Sequence, residues 1–414
     1  MKNLAFCIPV FALLVGLLSS TVPAYASWNI NQNWSGTDET FESVATIGTN
    51  IAAVGYTNAG GDYKIELNIY DENGCLTHQT EWGQNGIDYK AYSIDTDSSN
   101  NLIVSGTKDG VDGQVWKFTS SGSLVWTATE VGKPFRGVCT HGTDIFVVGG
   151  TSLFKYNSAG VQQYNTSAVT SSAVDCEYSA YGGMQLVYIL SNDGVGLTYQ
   201  VWSDSGQYMP LSVHYDHAPA VFHGLTVDGS YSSFVLGGNS SYIVSRRWNP
   251  DGHLPQCDLA WGTGACSQYG GAATDSSNNW HTVVYCSGEG NSRWIEWANT
   301  CGSAIDGTTY PFISHDIAID SGDQVVMVGS NFAGNDGIIY SESSYPSCSI
   351  PTTTTIPTPL GSETVQTIGT VTGGIKGFLN AFGGGYMLLL FIAFVALFIV
   401  GIFAYIKKTA GGER

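Results

Sequence analysis

Three histidines fall close together, in His214-Tyr215-Asp216-His217 and at His223 six residues on. Clustered imidazoles are transition-metal ligands. HxxH on a connecting segment is a weak ligand pattern that ordinary surface histidines also satisfy, so no metal site is assigned. Asp95-Thr96-Asp97-Ser98-Ser99 opens like a calcium loop of oxygen ligands but lacks the Gly and terminal Glu that would follow. Asp, Asn and Ser are also what a hairpin turn demands. No GxSxG elbow, HExxH pair, Walker loop or dinucleotide fingerprint occurs, and no cofactor is expected. Paired-carboxylate chemistry depends on separation in space and stays open at this stage.

The elements that must position any site are repeated. Between Ser27 and about Pro346 a unit of roughly 40–50 residues recurs, the period of a propeller or solenoid built from short strands. Residues 91–130 show it best: strand, Asp/Ser/Asn turn, strand ending in Gly, loop, aromatic strand, Ser-Gly turn, strand. This is a four-stranded antiparallel meander. Weaker copies cover 41–82, 135–168, 172–215, 222–264, 268–310 and 313–345. The last copy stops after three strands, and the alternating stretch 27–35 is assigned as its missing outer strand, which removes an exposed edge. The predicted fold is therefore all-β, a seven-bladed β-propeller closed by an N-terminal strand.

Equivalent positions in a propeller form a ring around its axis. Aligning the first strands FESVAT, AYSIDT, FRGVCT, SSAVDC, FHGLTV, QYGGAA and SHDIAI puts Glu42, Tyr92, Arg136, Ser172, His223, Tyr269 and His315 at one level. Shifting the sixth by one puts Gly270 there instead. A solvent-exposed strand start would be polar in any case. As a ligand site, Arg136 and protonated His223 and His315 would donate to an acidic sugar or carboxylate, beside Glu42, and Tyr92 would stack on a pyranose face. Glu42, Tyr92, Arg136, His223 and His315 are the candidate binding residues.

The repeat resembles that of secreted β-propeller proteins, whose consensus is an Asp-x-x-Gly/Asn-Asn turn followed by apolar residues ending in Gly. Asp97-Ser98-Ser99-Asn100-Asn101-Leu102-Ile103-Val104-Ser105-Gly106 matches it best, echoed at 275–279 and 320–329. The resemblance covers most of 27–346 and implies an exported or cell-surface protein with an interaction role; it implies no shared chemistry. A quinoprotein propeller would carry a Trp-docking motif in each blade, and that regularity is missing.

The ends agree with export. Residues 1–26 have the three-part pattern of a secretory signal, with Ala24-Tyr25-Ala26 before Ser27. Residues 386–406 run 21 positions without a charge and precede Lys407 and Lys408, so a single transmembrane helix is expected, with 407–414 as a cytoplasmic tail. Between them, 347–363 reads as a Thr/Pro stalk, and 364–385 as an amphipathic juxtamembrane segment, either an oligomer seam or a helix lying on lipid. Eight cysteines outlast the signal; Cys139 with Cys176, at one level of neighbouring first strands, and Cys257 with Cys266, bracketing one connection, are the expected bridges. Asn33, Asn165 and Asn239 head glycosylation sequons.

Lys and Arg total 15 against 34 Asp and Glu, a net charge of −19, which sets nucleic acid aside. Residues 27–350 hold 10 basic side chains against 32 carboxylates, so few ion pairs can depend on those carboxylates, and tolerance of acid is expected. The reading at this stage is a cell-membrane protein displaying its large domain outside, as a binding or adhesion module for glycan or a surface protein. An extracellular glycan-active enzyme and a structural coat subunit are the alternatives.

Overall fold

The computed structural model describes residues 28–341, apart from 33–38, 59–60, 168–171, 182–183, 193–196, 216–220, 239–241, 249–254, 263–265, 288–289, 298–303 and 333–335. The described residues fall within one compact unit, Met1–Cys348. The expected signal segment, stalk, juxtamembrane segment, span and tail lie outside the described residues, as do Asn33 and Asn239. Asn165 lies exposed on an outer strand, Gln162–Thr166.

Seven four-stranded antiparallel sheets follow one another, spanning 39–82, 89–130, 137–166, 172–215, 221–262, 266–310 and, for the seventh, 313–341. We number them 1 to 7. Sheet 7 takes its fourth strand from the N-terminus: Trp28–Gln32 pairs antiparallel with Gly337–Ser341, Trp28 opposite Ser341 and Gln32 opposite Gly337. The N-terminal stretch therefore completes the last sheet, as its alternation predicts.

The turn consensus has a mechanical cause. Asp97 Oδ1 accepts the backbone N–H of Ser99 and Asn101, and Asp275, Asp228 and Asp320 make the same pair of bonds in sheets 6, 5 and 7. The fourth residue of each turn is left-handed, with φ 59° at Asn100 and 64° at Asn278, where Asn and Gly are tolerated and β-branched residues are not. The second strands that follow, such as Leu102–Lys108 and Val325–Ser330, are buried almost throughout because both faces are covered by neighbouring sheets. Outer strands such as Leu124–Glu130 alternate between exposed and half-buried.

The glycine closing the second strand shapes the first. A Cβ on Gly106 would overlap the Lys90 carbonyl oxygen, and one on Gly329 would overlap that of Ile313. With the two strands this close, the first strand bulges: the register slips between Phe41 and Ser43, Ala91 and Ser93, Phe222 and Gly224, and Ser314 and Asp316, and it slips also in sheet 4, between Ala173 and Asp175, where Ser191 stands in the glycine's place. A bulge puts two residues opposite one and re-aims a side chain. In sheet 3 the same effect has Arg136 donating its N–H to Val148 O, the residue Gly137 faces.

First strands pack side by side, and that of sheet 7 packs back against that of sheet 1. In sheets 1, 2, 4 and 7 the residue just after the bulge makes the joint. Ser43 Oγ accepts the N–H of Ile94 (3.2 Å), Ser93 Oγ that of Val138 (3.2 Å), Asp175 Oδ2 that of Leu225 (3.0 Å) and Asp316 Oδ2 that of Val44 (3.1 Å). Cys139 and Cys176 are bridged between sheets 3 and 4, Cα atoms 5.8 Å apart, as the strand alignment predicts. The side chains of Cys257 and Cys266 lie outside the described set. The backbone register sets Cys266 opposite Cys286.

Beneath the turn of sheet 2, Lys117 Nζ meets Asp97 Oδ2 at 2.7 Å, the two side chains 6% and 0% exposed. Removing one partner of a buried pair strands the other charge and costs about 3–5 kcal/mol. Asp97→Ala should destabilise the protein by that order in urea unfolding, whereas Asp97→Ala with Lys117→Met should recover about 2 kcal/mol of it. Equal midpoints for the single and double variants would show that Lys117 is not held by this charge.

Candidate functional site

The bulge residues converge. One cavity is lined by Glu42, Tyr92, Arg136, Val174 and His315, all at bulges, together with Ser43, Ser93, Asp175, Gly270 and Asp316. These come from six of the seven sheets. The side chain of His223 lies outside the described set, although its backbone occupies the equivalent bulge in sheet 5.

Within the cavity, His315 Nδ1 lies 3.1 Å from Glu42 Oε2, with side chains 8% and 16% exposed, and 3.4 Å from Thr40 Oγ1. Burial works to raise the Glu42 carboxyl, but the charge and hydrogen bond of His315, helped by Tyr56 and Arg136, outweigh it and hold Glu42 below the usual range. The exposed Arg136 guanidinium lies over the Tyr92 ring, 4.0 Å from its centroid. Tyr56 meets Tyr92 edge-on at 6.4 Å. Arg136 thus occupies a face of Tyr92 on which a sugar is expected to stack, with its guanidinium exposed.

A second cavity continues from the first through Ser43, Ser93, Asp175 and Asp316, and is lined further on by Asp95, Glu177 and the inner-strand threonines Thr46, Thr96, Thr226 and Thr274. Its carboxylates resist ionisation. Burial pushes Asp95 and Asp316 up to about 6. Burial, then repulsion from Asp316, holds Asp175 well above the carboxylate range, and burial with repulsion from Asp95 and Asp175 does the same to Glu177. Each aspartate also accepts backbone N–H bonds, as Asp95 Oδ2 does from Thr140 at 2.7 Å, which limits the rise.

Four of the five candidate residues, Glu42, Tyr92, Arg136 and His315, share the first cavity. The alignment errs in sheet 4, where Val174 replaces Ser172 at the ring because the bulge falls between Ala173 and Asp175. Sequence comparison alone also overlooks Asp175 and Asp316, polar residues one place after the bulge whose repetition with Ser43 and Ser93 is the available signal. Asp95 and Asp97 take different partners, Thr140 and Lys117, rather than one calcium loop. His214 belongs to the outer strand Tyr208–Tyr215, and His217 lies outside the described residues.

No family model and no curated protein matches the sequence. Among solved structures, streptogramin B lyase aligns with a TM-score of 0.54 and 12% identity over 77% of this chain and 98% of its own. A catalytically inactive histidine-to-alanine variant of virginiamycin B lyase from Staphylococcus aureus, with quinupristin, gives 0.55 and 10% over 76% and 99%. The fold is a β-propeller. At such identity the likeness extends to the fold alone.

The raised carboxylates set a pH dependence. Unfolded, they titrate near 4; folded, Glu66 is pushed up to about 8 by burial, then by repulsion from Glu39, while Asp95 and Asp316 reach about 6. The folded state therefore holds more protons between these limits. The stability these groups contribute is complete below pH 4 and is lost as pH rises through 6 to 8. Glu42 and Asp97, both lowered, act oppositely, but only as pH falls below about 4. The melting temperature should be about 5 °C or more higher at pH 5 than at pH 8, and Asp316→Asn should flatten that slope. A melting temperature rising from pH 5 to 8 would contradict this ionisation pattern.

Proposed function

We propose that residues 27–346 form a closed seven-bladed propeller displayed outside the cell, and that the cavity at one end of its channel binds an acidic glycan or an acidic segment of a surface protein. The signal pattern of 1–26, the Thr/Pro stretch 347–363 and the uncharged run 386–406 before Lys407 support the surface placement. The observation carrying the site is that residues far apart in sequence, Glu42, Tyr92, Arg136 and His315, line one cavity. Arg136 offers a planar fork of donors to a carboxylate. Ser43 and Ser93 add hydroxyls for sugar hydroxyls, and Asp175 and Asp316 can exchange hydrogen bonds with the same groups.

A second reading has a specific observation behind it. An imidazole oriented by a carboxylate through Nδ1 is a general-base arrangement, and the His315–Glu42 pair has it. The lyase whose histidine variant is inactive shares the fold. In that reading the cavity performs proton abstraction on a bound ligand.

One series separates the two. The full-length protein and its Arg136→Ala, His223→Ala and His315→Ala variants are assayed for binding to an acidic-glycan array and to whole cells, with product analysis after prolonged incubation. Binding should weaken at least tenfold for Arg136→Ala, strengthen for the parent as pH falls from 7 to 5, and release no product. Product formation abolished by His315→Ala would favour the enzyme. Parent-like binding by all three folded variants would remove the cavity as the site.

A further inference from the structure

Three blades place a cation under their turn at one fixed position. In blades 2, 3 and 5 the third strand puts Lys117, Lys155 and Arg247 directly opposite Ile103, Phe146 and Phe234. Each cation meets an aspartate: Lys117 and Arg247 the turn aspartates Asp97 at 2.7 Å and Asp228 at 3.1 Å, and Lys155 both Asp144, which opens the second strand, at 2.8 Å and Asp204 of the next blade at 2.5 Å. Blade 6 keeps the turn aspartate, Asp275, and changes both strand positions. His281 stands where the others have an apolar residue, and Glu296 stands opposite it in place of the cation.

Two carboxylates therefore face each other where the sister blades have a carboxylate and a fixed positive charge. Asn279 Nδ2 donates to Asp275 Oδ2 at 3.0 Å and reaches Glu296 Oε1 at 3.4 Å, but an amide brings no net charge. His281 Nε2 lies 3.3 Å from Asp275 Oδ2. The imidazole is 4% exposed, stacked along Trp294 with ring centroids 5.8 Å apart, and its Nδ1 is buried without a hydrogen-bond partner among the described residues. Asp323, from the next blade, adds further negative charge nearby and is engaged by Ser276. One ligand atom each from Asp275, His281 and Glu296 lie within 4.8 Å of one another.

We propose that Asp275, His281 and Glu296 bind a divalent transition metal, with the ion supplying the positive charge that Lys or Arg supplies in the sister blades. One imidazole nitrogen and two carboxylate oxygens suit zinc and its neighbours, whereas calcium and magnesium favour all-oxygen sets. Such an ion ties the turn of blade 6 to its second and third strands, independently of the cavity at the channel end.

The test uses the purified full-length protein, stripped with chelator and titrated with zinc chloride by calorimetry near pH 7. One equivalent should bind and raise the melting temperature, and a tenfold excess of calcium should not displace it. Glu296→Lys recreates the arrangement of blade 2, so the fold should persist while zinc affinity falls at least tenfold. His281→Ala should lose as much. The proposal is overturned if the parent takes up no zinc at millimolar concentration. It is equally overturned if both folded variants bind zinc as the parent does, which would place the ion on other histidines.

Discussion

The hydrogen bonds from Val44 N–H and Ser43 Oγ–H to the Asp316 carboxylate, at 3.1 and 2.7 Å, join the last sheet to the first, and the site depends on them. The same position makes the joint between other sheets, with Ser43, Ser93 and Asp175 each accepting a backbone N–H from the next inner strand. Where the position is glycine, the neighbouring backbone takes the space: a Cβ on Gly137 would lie 2.8 Å from the Asp175 Cα. Inner strands this close leave no room for a side chain between them. The residue one place earlier is bulged out of the ladder and lines the cavity, so the joint and the cavity wall are set by consecutive residues.

This arrangement explains the chemistry. Side chains that close the joints are polar because buried backbone N–H groups need acceptors. Where these are carboxylates, burial raises them all, with repulsion from Asp316 and Asp95 added at Asp175 and from Asp95 and Asp175 at Glu177, so that Asp95, Asp175, Glu177 and Asp316 hold protons at pH values where free carboxylates do not. Against that floor, Arg136 is an exposed, permanent cation, and the His315–Glu42 pair joins the first and last sheets. The negative charge around this cavity therefore fades as pH falls.

Much of this was legible in the residues. The period, the four-strand unit and the need for an N-terminal strand in the last sheet follow from local patterns, because turns and glycines act within a few residues. So did the Cys139–Cys176 bridge, since a one-residue difference in level still leaves neighbouring strands within reach. The alignment failed at Ser172, because a bulge is fixed by which residues face each other across strands, and the glycine that marks it in sheets 1, 2, 5 and 7 is missing in sheet 4, where Ala173 faces Ser191. His281 and Glu296, fifteen residues apart, escaped notice because their meaning lies in what Lys117 and Arg247 do at the same register.

Closure in this register is the claim on which the shared cavity rests, and a disulfide tests it directly. Cys139 stands three residues after the bulge at Arg136, and Cys176 two after Val174 in the next sheet. Across the joint between last and first sheets, Ala318 and Val44 hold those same places relative to His315 and Glu42, and both pack in one apolar cluster. In the Val44→Cys/Ala318→Cys variant, peptide mapping of the unreduced, folded protein should link positions 44 and 318 within one chain and leave Cys139–Cys176 intact. Two thiols that stay free and alkylate in the folded protein would contradict the closed ring and the site built on it.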